Sequence, residues 1–244
     1  MANYETLIPP EVTNDEFFDL IQRLAKRRDV TTILEIGSSS GEGSTAAFVR
    51  GMDRNPNQPT LYCIEMSAPR FVALKRRYAA RNDVRCYNVS TVPTEKLPSR
   101  GEVAAFYERY DTGLNRYPLA EVLQWLEQDL EYLHKSQVPT QGIRLIKQEN
   151  GIDRFDLVLI DGSAFTGAAE LEEVCGARII LLDDVNDIKN FGNYRRLSSD
   201  PQYRLISENW KLRNGYAAFE IKSTRNDSRL SKLKLGALRF WPFK

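Results

Sequence analysis

The chain has 244 residues, room for one sizeable α/β core and too few for a second complete domain. Its 42% hydrophobic and 27% charged residues are ordinary for a globular protein, and a net charge of +1 supplies no global field that would recruit nucleic acid or an anionic membrane. The opening Met1-Ala2-Asn3-Tyr4-Glu5 lacks the basic and apolar regions of a signal peptide, and no apolar run approaches the roughly 20 residues that span a bilayer, so a soluble, cytoplasmic protein is expected.

In chain order, residues 11–30 predict a helix. Thr13-Asn14-Asp15-Glu16 offers an N-cap and first-turn acids, Phe17, Leu20, Ile21 and Leu24 recur at helical spacing, and Lys26-Arg27-Arg28 suits the negative end of the dipole. Residues 31–36 read as a buried strand, broken by the stretch from Gly37 to Gly43, with a second helix beginning at Ser44. The alternation repeats: a strand over 60–64 that ends on Glu65, a basic amphipathic helix over 71–81, and a strand over 84–89. Later come a strand over 155–160 ending at Asp161, a short helix over 168–174, and a strand over 177–182 ending at Asp183. Near-continuous apolar strands separated by helices indicate a mostly parallel sheet covered on both faces. The pattern then changes. Residues 203–210 and 216–221 are strand-like runs joined by a loop containing Asn214-Gly215, a hairpin signal, so the sheet is expected to close with an antiparallel pair.

Residues 91–150 interrupt this rhythm. They hold Pro93, Pro98, Gly101, an aromatic patch of Phe106, Tyr107, Tyr110 and Tyr117, and a helix over 119–133. Leu119, Val122, Leu123, Leu126, Leu130 and Leu133 form one apolar stripe on that helix. The segment is expected to pack on the core, to act as a lid or substrate-binding insertion within the single domain 1–244, or both. A tail over 223–244 is basic and ends in Phe240-Trp241-Pro242-Phe243; tail and insertion are both candidates for a homo-oligomer contact. Cys63, Cys86 and Cys175 are odd in number and lack metal-ligand spacing; they are expected to be reduced and buried.

The strongest motif is residues 33–45. Gly37 permits a sharp turn off the strand, Gly41 and Gly43 let backbone approach a ligand, and the following helix offers free N–H groups and a partial positive charge. The glycines are spaced G-x-x-x-G-x-G, unlike the G-x-G-x-x-G of a dinucleotide loop, and Glu35 precedes them where a pyrophosphate would be repelled. The stretch resembles motif I of class I S-adenosylmethionine-dependent methyltransferases, roughly E/D-x-G-x-G-x-G. Glu35, Gly37 and Gly41 match, and Ser39 stands where the middle glycine usually is. The resemblance implies a Rossmann-like methyltransferase fold with a seven-stranded sheet and S-adenosylmethionine as cofactor. Glu35 would meet the methionine amino group, Gly37, Ser39, Gly41, Gly43 and Ser44 would form the loop, and Glu65, followed by Met66, would accept from ribose hydroxyls. Asn88 and Ser90 would lie at the adenine, and Asp161 beside the methionine end.

Asp161 and the pair Asp183-Asp184 end two strands at the same sheet edge, and hard oxygen ligands grouped so suit Mg²⁺ or Ca²⁺. Here the chain resembles metal-dependent small-molecule O-methyltransferases, including the macrolide-sugar type. That resemblance implies Asp161, Asp183 and Asp184 as ligands of an ion gripping the acceptor hydroxyls. Relatives often place a basic residue or histidine soon after the first aspartate; Ser163-Ala164-Phe165-Thr166 offers none. Asp161 and Asp187 are the candidate catalytic acids, Lys189 and Tyr194 also follow the pair, and His134, near the end of the inserted helix, is expected in solvent. The expected activity is methylation of an oxygen on a small acceptor, a sugar or natural product. A cofactor-binding module without methyl transfer, and an NAD-dependent oxidoreductase, stay open as alternatives.

Overall fold

A computed structural model describes residues 4–222, so the basic aromatic tail lies outside the described residues. Helix α1 (Glu16–Ala25) starts where the Asp15 carboxylate accepts from the Phe18 amide at 2.8 Å, and it buries Phe17, Leu20, Ile21 and Leu24 along one face. Five strands then alternate with helices: β1 (Thr32–Ile36), α2 (Ser44–Met52), β2 (Thr60–Ile64), α3 (Ala68–Arg77) and β3 (Val84–Tyr87), then α4 (Arg100–Arg109), α5 (Leu119–Ser136) and α6 (Gly142–Asn150), followed by β4 (Leu157–Ile160), α7 (Gly167–Val174) and β5 (Ile179–Asp183). Helix α8 (Phe191–Ser199) leads to β6 (Tyr203–Asn209) and β7 (Tyr216–Ile221).

The seven strands lie in the order β3-β2-β1-β4-β5-β7-β6, with β7 antiparallel to both of its neighbours and every other pairing parallel. The sheet order reverses at β1, and ligands of open α/β sheets bind outside the carboxyl ends of strands at such a point. Register sharpens this. Ile36 pairs with Ile64 on one side and Ile160 on the other, and Ile160 pairs with Leu182. Gly37, Glu65, Asp161 and Asp183 therefore leave the sheet nearly level with one another.

Several boundaries differ from the sequence reading. Helix α3 begins at Ala68, three residues before the predicted start, because Ser67 caps it by accepting from the Arg70 amide and Pro69 fits the first turn. Within residues 91–150, α4 (Arg100–Arg109) and α5 (Leu119–Ser136) are added elements, but α6 (Gly142–Asn150) is the ordinary crossover helix before β4: Ile143 and Ile146 pack with Ile36, Val158 and Ile160. The hairpin connection spans residues 210–215, one residue longer than the expected loop over 211–215, with Arg213 and Gly215 in left-handed backbone. It is pinned from outside, since the Val185 amide donates to the Gly215 carbonyl and the Asn186 amide to that of Asn214. Cys63 and Cys86 are paired on neighbouring strands, and all three thiols are free; Cys175 is exposed rather than buried, because it terminates α7 at the surface. Among the described residues no helix is long and apolar enough to cross a membrane.

Two apolar layers cover the faces of the sheet, and a third, smaller cluster joins Val103, Leu114, Val122 and Leu126 of the added segment to Phe165 after β4. Gly51, inside α2, is where α1 packs closest: a Cβ there would stand 2.5 Å from the Gln22 carbonyl oxygen and 2.7 Å from the Ala25 Cβ. Helix propensity alone favours alanine in a helix interior. The contact predicts the opposite outcome, a loss of about 1–3 kcal/mol in denaturant unfolding of Gly51→Ala.

Candidate functional site

The loop after β1 is held by its own backbone. The amides of Gly37 and Ser38 both donate to the Ile64 carbonyl at 3.0 Å, and that of Gly41 to Ser38. Gly37, Ser39 and Gly41 all have positive φ, and a Cβ on Gly37 would collide with the Asp161 carbonyl, so β1 and β4 meet where only glycine fits. Helix α2 begins at Ser44, with Gly43 as its N-cap and no side-chain cap; the Ala46 and Ala47 amides donate to the Gly43 carbonyl, which leaves those of Ser44 and Thr45 at its open end. The Ser38 and Ser39 hydroxyls are buried within the loop itself, that of Ser38 beside Glu35 and Cys63.

The loop and the start of α2 line a cavity of about 430 Å³, a size that holds a nucleoside-sized ligand. The structure brings Gly37, Ser39, Gly43, Ser44, Glu65, Met66, Ser90, Asp161 and Asp184 to its wall. Glu65 is buried and accepts from the Ser39 amide at 2.8 Å and the Ser67 amide at 2.7 Å, so it ties two loops together at the cavity wall; burial pushes its pKa up.

Five expected residues lie elsewhere, Asp183 among them, held by Arg213. Glu35 points to the opposite face of the sheet from Ile36, by strand alternation, and is fully buried beneath the loop. Its carboxyl accepts from the Thr45 hydroxyl at 2.7 Å and is pushed up by burial, so Glu35 braces α2 against the loop and is not at the cavity wall. Gly41 serves packing: Tyr78 donates to its carbonyl at 2.6 Å, and a Cβ there would meet Tyr78 and Leu74. Asn88 supports the loop after β2 by donating to the carbonyls of Glu65 and Met66 at 2.8 and 2.9 Å. Asp187 is outside the wall; its carbonyl accepts from the amides of Asn190 and Phe191 at the start of α8. His134 is exposed.

The strand-end acids are neutralised from within. The Lys189 ammonium donates to Asp161 Oδ1 at 2.9 Å and to Asp184 Oδ2 at 2.6 Å, and the Arg213 guanidinium contacts Asp183 at 3.2 Å and also pairs with Asp15. Burial raises Asp161, although Lys189 opposes the shift. For Asp184 burial is outweighed by Lys189 and the pKa is lowered, and for Lys189 it is outweighed by Asp161 and Asp184, which hold the ammonium charged. Asp183 is pushed up to about 6 by burial and by Asp184.

The expected divalent-ion site therefore does not fit this donor set. Lys189 stands between two of the three proposed ligands, Arg213 takes the third, and among the described residues no group of three or more His, Cys, Asp or Glu side chains is arranged to hold a metal.

The sequence reading missed three parts of the wall. Residues 4–12 cover the loop: Pro10 and Val12 lie against Gly43, and the Tyr4 hydroxyl donates to Asp129 of α5 at 2.6 Å while its ring stacks on Tyr132 at 4.4 Å. The hydroxyl of Ser163 reaches the other oxygen of Asp129, tying α5 to the end of β4. Glu170 of α7 is fully buried beside the cavity, with one oxygen taken by the Thr91 hydroxyl at 2.7 Å and the other unpartnered. Periodicity marks these positions only as helix or loop. Tyr117, Trp125, Phe165 and Leu133 give one side of the cavity an apolar and aromatic surface.

No protein-family model matches the chain, and no curated protein sequence does. Solved structures do. The O-methyltransferase from Bacillus cereus in complex with SAH superimposes with a TM-score of 0.55 at 18% identity, over 88% of this chain and 84% of that one. The O-methyltransferase TomG from Streptomyces achromogenes, in complex with SAM, gives 0.50 at 15% identity, over 88% and 84%. The fold is the Rossmann-like methyltransferase fold. At these identities the likeness concerns the path of the chain and not its chemistry.

Asp187 supplies a pH test of the acidic edge. Burial, then the charge on Asp184, push its pKa up to about 6 from an ordinary 3.8. A carboxyl raised on folding contributes stability that is complete below the unfolded value and is lost as pH rises through the folded one. Asp187→Asn keeps the acceptor for the Ile188 amide, so its stability relative to wild type should improve between pH 4 and pH 7, by on the order of 2 kcal/mol in denaturant titrations.

Proposed function

We propose that this chain transfers a methyl group from S-adenosylmethionine to an oxygen of a small acceptor with an apolar, ring-bearing body. The observation that carries the reading is the cradle after β1: the glycine and serine loop, the start of α2 with no side-chain cap and the Glu65 carboxyl border one cavity at the sheet's switch point. The fit is chemical. Helix N–H groups suit a carboxylate, and Glu65 suits a ribose diol. That the Bacillus cereus and Streptomyces achromogenes proteins are O-methyltransferases bound to SAH and SAM supports the same assignment. Free thiols on all three cysteines support a reducing, cytoplasmic setting.

S-adenosylmethionine, when bound, supplies an electrophilic methyl on a sulfonium. The chain's work is positioning. Methyl transfer is an in-line displacement, and holding two reactants in alignment is worth several kcal/mol of the barrier. The loop after β1 and the start of α2 hold the amino-acid end and Glu65 the ribose, which together fix where the reactive carbon lies. Trp125, Tyr117 and Phe165 offer flat surfaces that orient the acceptor and exclude water from it.

At 100 times its dissociation constant, S-adenosylhomocysteine is expected to stabilise the protein by about 2.7 kcal/mol in a thermal-shift titration, with no shift from NADH. Glu65→Ala should lose most of that shift. Incubation with labelled S-adenosylmethionine and a panel of hydroxylated aromatic and sugar acceptors tests transfer itself. A stabilising response to S-adenosylhomocysteine with no labelled product across the panel would instead make the chain a cofactor-binding module.

A further inference from the structure

The turn between β5 and α8 does something the methyltransferase reading does not require: it delivers a buried cation to the acceptor end of the cavity. Lys189 is 8% exposed, and the position of its ammonium is set by neighbours. The side chain of Asn190 donates to the carbonyls of Ile160 and Asp183, which locks the turn to the ends of β4 and β5. Asn193 then donates to the Asn190 side-chain oxygen and to the Gly167 carbonyl, each at 2.8 Å. An ammonium held by such a frame cannot swing away without dismantling buried hydrogen bonds, each of which leaves an expensive orphan when broken.

We propose that the Lys189 ammonium is the resident cation of this site, standing where Asp161 and Asp184 would otherwise gather a divalent ion, so that the protein works without one. Three observations converge. The ammonium lies 2.9 Å from Asp161 and 2.6 Å from Asp184, and an ion bound to those oxygens at roughly 2.0–2.6 Å would need the same space. Asp183, the remaining acid, is engaged by Arg213, which in turn is anchored by Asp15 at the start of α1. The charge count also weighs against an added ion. With both carboxylates ionised, Asp161 and Asp184 carry two negative charges against one on Lys189, so a divalent ion could join them only by displacing the lysine or by making the site net positive.

A lysine ammonium has three N–H donors. Two are spent on Asp161 and Asp184, and Lys189 borders the cavity, so the third is free to meet an acceptor oxygen there. The class of ligand at this end is therefore a molecule presenting a hydroxyl or oxyanion to a fixed ammonium, with its apolar body on the Trp125 and Phe165 side. This second consequence rests on the methyltransferase reading; the cation assignment does not.

Mn²⁺ titration followed by electron paramagnetic resonance tests the cation assignment without any turnover. Wild-type protein is expected to leave the free Mn²⁺ signal unchanged. Lys189→Ala should take up one equivalent, and adding Asp161→Asn should weaken that uptake at least tenfold. Lys189→Arg, which keeps the charge, should bind none. Stoichiometric Mn²⁺ uptake by wild type that Asp161→Asn abolishes would overturn the proposal, and so would a folded Lys189→Ala that binds no Mn²⁺. The wild-type titration decides even if Lys189→Ala does not fold. For any acceptor that wild type methylates, activity should survive EDTA, and Lys189→Met should raise the acceptor KM at least tenfold while the S-adenosylhomocysteine affinity stays within twofold. An unchanged acceptor KM would remove Lys189 from acceptor binding. Absence of transfer by wild type would count against the methyltransferase reading alone, since the Mn²⁺ result stands without it.

Discussion

Asp161, Asp183 and Asp184 leave the sheet side by side, and three carboxylates crowded into a half-buried edge cannot be left uncompensated. Much of the surrounding structure answers that constraint. Lys189 comes from the turn after β5 and Arg213 from the hairpin connection, and Arg213 reaches past Asp183 to Asp15, the N-cap of α1. A single chain of charges thus ties the first helix, the carboxyl edge of the sheet and the final hairpin into one unit. The hairpin loop is long and left-handed at Arg213 and Gly215 because it must also present backbone carbonyls to Val185 and Asn186. Removing one partner from such a network is costly in a way that counting its ion pairs would not reveal, since the cost is the charge left behind.

The cavity is assembled from pieces far apart in the sequence. Its floor is the loop after β1, rigid because its glycines are packed against neighbouring backbone and against Tyr78. Its roof is made by residues 4–12 and α5, which meet at the Tyr4–Asp129–Ser163 hydrogen bonds. Asp129 is nearly fully buried on an otherwise amphipathic helix, and burial raises its pKa even with two hydroxyl donors. Those donors are why a carboxyl is tolerated there: each oxygen has one partner, and each partner belongs to a different wall. The contact fixes how α5 sits over the cavity more strictly than its apolar stripe would.

The sheet was legible in the sequence because a parallel strand is buried on both faces and reads as an apolar run, and because register then forces the residues after each run to one edge. Gly37, Glu65 and Asp161 could be placed by that logic alone. Glu35 could not: the motif gives its spacing, but strand alternation decides which face it takes, and alternation sends it beneath the loop to Thr45. Helix α6 was hidden inside an apparent insertion because Pro93, Pro98 and Gly101 blur where the added segment ends, and only packing of Ile143 and Ile146 on the sheet identifies it. Residues 4–12 have neither periodicity nor a motif. Their role depends on three-dimensional contacts with Gly43, Ser67 and Asp129, which no local pattern encodes.

The acidic edge shows how one substitution of logic changes a site while the path of the chain stays the same. Hard carboxylates after adjacent strands suit a divalent ion, and nothing in residues 161, 183 and 184 alone argues otherwise. The difference lies five residues beyond the pair, where Lys189 returns to the carboxylates on a turn locked by Asn190. A divalent ion stabilises a developing oxyanion with twice the charge of an ammonium at a similar distance, so a lysine-based site would polarise its acceptor less. It would gain in orientation, because the ammonium is built into the fold and needs no loading. Such a site favours acceptors whose oxygen is already acidic or well exposed, and it leaves alignment by the aromatic wall and the cofactor cradle to supply most of the rate.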